Sequence, residues 1–79
     1  MVVILRAHNA DLFGEVAITC ATQGLSIVEF SMNTPGASAA IAALGDHRPA
    51  GLLLGAGTMT TPQLAQEAVR ACAEFLVTP

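Results

Sequence analysis

The stretch Ser26-Ile27-Val28-Glu29-Phe30-Ser31-Met32-Asn33-Thr34-Pro35 decides the fold. Its first six residues form a short, largely apolar run that is continuous rather than alternating, the pattern of a parallel strand covered on both faces. Thr34-Pro35 then supplies a cap and a proline at the first helical position, which predicts a helix starting there, presenting Ile41 and Leu44 and stopping at Gly45. Working outward, similar runs at residues 2–6, 52–55 and 75–78 predict three more strands. A helix after the first of them places Phe13, Val16, Ala17 and Cys20 on one face and ends at Gly24. Thr61-Pro62 repeats the start signal before a third helix that lines up Leu64, Ala68, Ala71 and Cys72.

Between the strand centres Ile4, Val28, Leu53 and Val77 the steps are 24, 25 and 24 residues. A strand-then-helix period of this size marks βα units, and eight of them make roughly 200 residues, the lower bound of a (β/α)8 TIM barrel. The expectation is therefore an α/β chain, β-α-β-α-β-α-β, that supplies about the first half of such a barrel. Residues 1–79 form the N-terminal half of a single domain. Four parallel strands alone leave both sheet edges unpaired and one sheet face without helices, so a stable monomer is not expected.

Composition narrows the function. The chain has 79 residues, 53% of them hydrophobic, with a formal charge of -3. Its only basic side chains besides the two histidines are Arg6, Arg48 and Arg70, so the clustered positive charge of a nucleic-acid surface is missing. No lysine is present, so these residues cannot themselves form a lysine Schiff base. The apolar runs fall short of the ~20 residues of a spanning helix, and the start lacks the form of a signal peptide; the expected setting is the cytoplasm, with no membrane partner. Cys20 and Cys72, far apart and each on an apolar helical stripe, read as buried free thiols. His8 and His47 read as solvated loop residues rather than a metal pair, and neither a metal nor a cofactor is expected. Asp46, His47 and Arg48 read as a polar turn, and Glu67 with Arg70 as an exposed helical pair.

In a βα barrel the chemistry sits at the carboxyl ends of the strands. Those ends carry Arg6-Ala7-His8, Glu29 through Thr34, Gly55-Ala56-Gly57-Thr58 and Val77-Thr78-Pro79. Glu29 is the sharpest signal, because a carboxylate inside an apolar strand is costly to bury unpaired. Two readings stand side by side: a general acid/base, or a structural ion pair with Arg6 on the neighbouring strand. Arg6 likewise reads as a partner for Glu29 or as a fork for a substrate carboxylate or phosphate. The glycines around Ala56 leave bare backbone where an anion could approach, but Thr60 breaks the dinucleotide fingerprint, and a tight strand-exit turn accounts for them as well.

Together, Val3-Ile4-Leu5-Arg6, Ile27 through Pro35, Gly55 through Pro62 and Glu74-Phe75-Leu76-Val77-Thr78-Pro79 resemble the KDPG/KHG aldolase family, class I aldolases on a (β/α)8 barrel. The resemblance implies cleavage of 2-keto-3-deoxy-6-phosphogluconate or -galactonate to pyruvate and glyceraldehyde 3-phosphate, with a homo-oligomer, a trimer, as the assembly. It implies Glu29 as the proton-shuttling glutamate and Thr58, with an arginine, as the holder of the pyruvate-end carboxylate. Asn33 stands where the gluconate-type enzymes carry arginine. With Arg6 as the other substrate-binding residue, the pair resembles the phosphogalactonate branch. The family's nucleophilic lysine comes from a later strand, so the resemblance implies a parent aldolase and an inactive 79-residue piece. A non-catalytic half-barrel that self-associates is the alternative.

Overall fold

A computed structural model describes residues 1–45 and 47–78. The elements alternate as expected: β1 (Val3–Leu5), α1 (Phe13–Thr22), β2 (Ile27–Ser31), α2 (Ala37–Gly45), β3 (Leu53–Gly57), α3 (Pro62–Arg70) and β4 (Leu76–Val77). All neighbouring strands are parallel, in the order β1-β2-β3-β4. Consecutive parallel strands need a crossover between them, and each helix provides one.

The register sorts side chains into two faces, because partners in a parallel ladder point the same way and alternate along each strand. Val28, Phe30, Leu54 and Ala56 lie on the face covered by the helices, where they are buried with Phe13, Ala17, Ile41, Leu44 and Ala68. The Phe13 and Phe30 rings pack with centroids 4.9 Å apart. On the opposite face Ile4 lies beside Glu29, and Glu29 beside Gly55. No helix covers this face among the described residues, and Ile4 there is 58% exposed.

Helix starts differ between the two Thr-Pro sequences. Thr61 caps α3, its side chain accepting from the Leu64 N–H at 3.2 Å with Pro62 as the first helical residue. The expected start of α2 at Thr34-Pro35 is corrected to Ala37. Gly36 has a φ of +86°, outside the helical range, so Pro35 belongs to a turn closed by Ala37 N–H and Thr34 C=O. The Thr34 hydroxyl instead accepts from the Ala7 N–H at 3.3 Å, tying the exit of β1 to the exit of β2.

Several minor expectations are also corrected. Cys72 is exposed, because the chain leaves α3 at Ala71 and turns through a φ of 70° at Cys72; Cys20 is partly buried, and both thiols are free. Val16 is 39% exposed, leaving Phe13 and Ala17 as the buried face of α1. Arg48 is more than part of a polar turn: it pairs with Glu74 at 2.6 Å, the one ion pair among the described residues, and Glu67 with Arg70 is therefore not one. The same Glu74 oxygen accepts from the Leu54 N–H at 2.9 Å, so the carboxylate ties the approach of β4 to the start of β3. Asp46, expected in that turn, and Pro79, expected at the last strand end, lie outside the described residues.

Candidate active site

The carboxyl ends of β1, β2 and β3 bring Arg6, Glu29, Ser31 and Thr58 onto the face opposite the helices. Arg6 follows Ile4 by two positions, and Ser31 follows Glu29 by two, so period-2 alternation puts Arg6, Glu29 and Ser31 on the same side, whereas Thr58, one residue past Gly57, joins them through its left-handed backbone (φ 58°). Arg6 does not pair with Glu29. Its Nε donates to the Ser31 hydroxyl at 3.3 Å and its Nη2 to the Thr58 hydroxyl at 3.2 Å. Of the two readings of Glu29, the structural ion pair with Arg6 does not form in this geometry. The guanidinium lies along the strand ends, one side-chain row beyond the carboxylate, and is taken by the two hydroxyls.

Glu29 is 6% exposed and leans across β3. A Cβ at Gly57 would overlap its carboxylate, and a Cβ at Gly55 would overlap the ring of Phe75. The two glycines are therefore berths for neighbouring side chains inside strand β3, rather than a strand-exit turn or a bare anion cradle. The turn begins one residue later at Thr58, whose φ of 58° is a left-handed conformation that a β-branched side chain rarely adopts. Thr58 is half-buried there, with its hydroxyl held between Arg6 and Ser31, whose own hydroxyl is 3.1 Å away. Strained backbone of this kind persists where surrounding contacts over-determine it.

Asn33, exposed in the turn after β2, accepts from the Ser31 hydroxyl through its Oδ1 at 2.6 Å. All four expected site residues thus gather at one end of the sheet, but Asn33 joins Arg6 and Thr58 only by way of Ser31. Sequence reading passed over Ser31 and Thr34. The signal for Ser31 was present in its spacing, two residues after Glu29 on the same face; Thr34 was read solely as a helix cap. His8 and His47 are both exposed, and no group of three metal-ligating side chains occurs among the described residues. A cavity of about 520 Å³ lies elsewhere, between α1 and α2, and its walls include Gly14, Ala39, Ala40 and Ala43.

A buried carboxylate, a forked cation and two hydroxyls at the carboxyl ends of parallel strands can hold an anionic oxygen pair and move a proton beside it. Over residues 1–79 the sequence matches the aldolase family described as KDPG and KHG aldolase. The chain belongs to the KDPG and KHG aldolase family. It is 35% identical, over all 79 residues, to the 2-dehydro-3-deoxy-phosphogluconate aldolase of Haemophilus influenzae, and covers 37% of that protein. It superimposes with a TM-score of 0.83 on the 2-keto-3-deoxy-6-phosphogluconate aldolase of Zymomonas mobilis ATCC 29191, at 27% identity, covering 99% of this chain and 37% of that one. A structure of the Zymomonas mobilis ZM4 aldolase with 3-phosphoglycerate matches equally well, with 36% of its chain covered. The chain thus spans little more than a third of the length of these aldolases and corresponds in fold to the first part of their barrel.

Proposed function

We propose that these residues form the carboxylate-holding and proton-transferring side of a class I aldolase site. The parent enzyme cleaves a six-carbon 2-keto-3-deoxy-6-phospho sugar acid to pyruvate and glyceraldehyde 3-phosphate. One observation carries the reading: Arg6 and Thr58 are joined at the strand ends, one row above a buried Glu29 that is not neutralised by the arginine. Arg6 and Thr58 hold the carboxylate at the pyruvate end. Glu29, seated over Gly57, takes and returns protons as the covalent adduct forms and the carbon–carbon bond breaks. The nucleophilic lysine lies outside these residues, since none of the 79 is lysine.

Arg6 together with Asn33 favours the phosphogalactonate acid over the gluconate epimer as substrate. A cytoplasmic setting and a homo-oligomer, trimeric by resemblance, belong to the same proposal.

Pyruvate release from the two epimeric acids, measured side by side, tests the reading. The galactonate acid is expected to give the higher kcat/KM. Glu29→Gln is expected to lower kcat by about 10²–10⁴-fold, the usual scale of general acid/base catalysis, with KM nearly unchanged. A fully active E29Q enzyme overturns the role of Glu29. Borohydride treatment of the 79-residue polypeptide with pyruvate is expected to leave every side chain unmodified.

A further inference from the structure

The hydrogen-bond network at the strand ends assigns a role to a residue outside the set considered so far. We infer that Ser31 is a positioning residue: it fixes the orientation of the Arg6 fork and the Thr58 hydroxyl, and links the Asn33 side chain to them. This inference rests on Arg6 and Thr58 being the carboxylate holders.

A guanidinium has five N–H donors, arranged as a side edge (Nε with one Nη) and an end edge (the two Nη groups). In this structure the side edge is occupied. Nε donates to Ser31 Oγ at 3.3 Å and Nη2 to Thr58 Oγ1 at 3.2 Å, and the two hydroxyl oxygens stand 3.1 Å apart. Ser31 and Thr58 thus occupy the edge that a bidentate carboxylate would otherwise take. The end edge, with one N–H from each Nη, is then the part of Arg6 turned away from the network and available to a ligand carboxylate.

Proton counting sets the direction of the rest. Ser31 has one hydroxyl proton, and its shortest contact, 2.6 Å, is to Asn33 Oδ1, an oxygen that can only accept. Ser31 therefore donates to Asn33 and presents lone pairs to Arg6 Nε and to Thr58. Thr58 accepts from Arg6 and keeps its own proton to give to Ser31 or to a ligand. Ser31 is fully buried, and its immobility gives the network a fixed centre, whereas Arg6 and Asn33 are exposed. The oxygen of Asn33 is committed to Ser31, so what that oxygen does to the network passes through the Ser31 hydroxyl.

The test is an NMR titration of the parent enzyme with pyruvate and with its neutral amide, pyruvamide. Arg6→Ala sets the scale by removing the fork. Ser31→Ala is expected to weaken pyruvate about fivefold, the worth of roughly one hydrogen bond, and to leave pyruvamide unchanged. Ser31→Cys, close in volume, is expected to act in the same direction and guards against a folding defect in the alanine variant. Adding Asn33→Ala to Ser31→Ala is expected to cost nothing further, because a residue acting through Ser31 has no route once Ser31 is gone.

If Arg6→Ala weakens pyruvate but folded Ser31→Ala and Ser31→Cys both bind it as the parent does, the inference fails while the carboxylate reading stands. Equal losses for pyruvate and pyruvamide also overturn it, since they reveal general damage. An additional loss from Asn33→Ala in the Ser31→Ala background shows Asn33 touching the ligand directly and overturns the relay. If Arg6→Ala leaves pyruvate binding intact, the carboxylate reading itself falls, and the inference falls with it.

Discussion

At the scale of single residues, the site is organised by which partner each charged group takes. Arg6 and Glu29 lie on adjacent strands and on the same face, yet the guanidinium is one row nearer the strand ends and takes the two hydroxyls. That arrangement leaves the Glu29 carboxyl without the arginine as a partner and the arginine without a carboxylate, so one edge of the guanidinium is left for a ligand. Lysine cannot reproduce this, because a point charge on a flexible stem has no second edge to offer once it is held. Arg6→Lys is therefore expected to weaken pyruvate binding by about tenfold, in keeping with the loss of a bidentate charge-assisted pair, with a far smaller change in thermal midpoint. Titration and melting of the same sample check both halves of this expectation. Glu29, Arg6, Thr58 and Asn33 were legible as candidates because polar residues at the ends of apolar strands stand out. Ser31 was not legible in that way: a serine beside a strand end is common, and its importance comes from a fully buried position among three partners.

At the scale of elements, β3 shows how a strand of Leu53-Leu54-Gly55-Ala56-Gly57 can serve two neighbours at once. Its alternate residues are Leu54 and Ala56 toward the helices, and two glycines toward the other face, where the Phe75 ring and the Glu29 carboxylate take the space. The two glycines differ in what a methyl group would displace. Gly55→Ala pushes on a stiff ring and is expected to destabilise the protein by about 1–3 kcal/mol, the usual cost of overpacking. Gly57→Ala pushes mainly on the end of a flexible side chain, so it is expected to cost less stability but to drive Glu29 from its berth and abolish the aldol turnover proposed for the parent enzyme. Denaturant melts and activity assays of the pair separate the two effects.

The Glu74 clamp gives a parallel contrast between the ends of one interaction. Arg48→Ala removes a partly exposed ion pair and is expected to cost no more than about 1 kcal/mol. Glu74→Ala also leaves the N–H of buried Leu54 without its side-chain acceptor and is expected to cost about 1–3 kcal/mol. Equal melting temperatures for the two variants would overturn this ranking. The helix starts show why element boundaries were harder to read than element order. Thr34-Pro35 and Thr61-Pro62 are the same dipeptide, and only the second caps a helix, because the hydroxyl of Thr34 is taken by the backbone of a distant loop.

At the scale of the whole molecule, the four parallel strands carry helices on one face and expose Val2, Ile4, Leu53, Leu76 and Val77. β1 and β4 are the sheet edges, with unpaired backbone groups along them among the described residues. The 79-residue polypeptide on its own is expected to self-associate, and sedimentation that shows a well-folded monomer at micromolar concentration would overturn that expectation. By itself, the sequence determined the βα repeat, the parallel order of its strands and the strand ends at which chemistry gathers. Those properties follow from local apolar runs, glycine and proline stops and a regular period, all of which act within a few residues of where they are written. Only the tertiary structure decided that Arg6 bonds to Ser31 and Thr58 rather than to Glu29, that the glycines of β3 make room for Phe75 and Glu29, and that Thr34 holds a loop instead of a helix. Each of these depends on the register between strands that are distant in sequence. A shift of a single row would change which side chains meet, and no local pattern in the chain encodes that row.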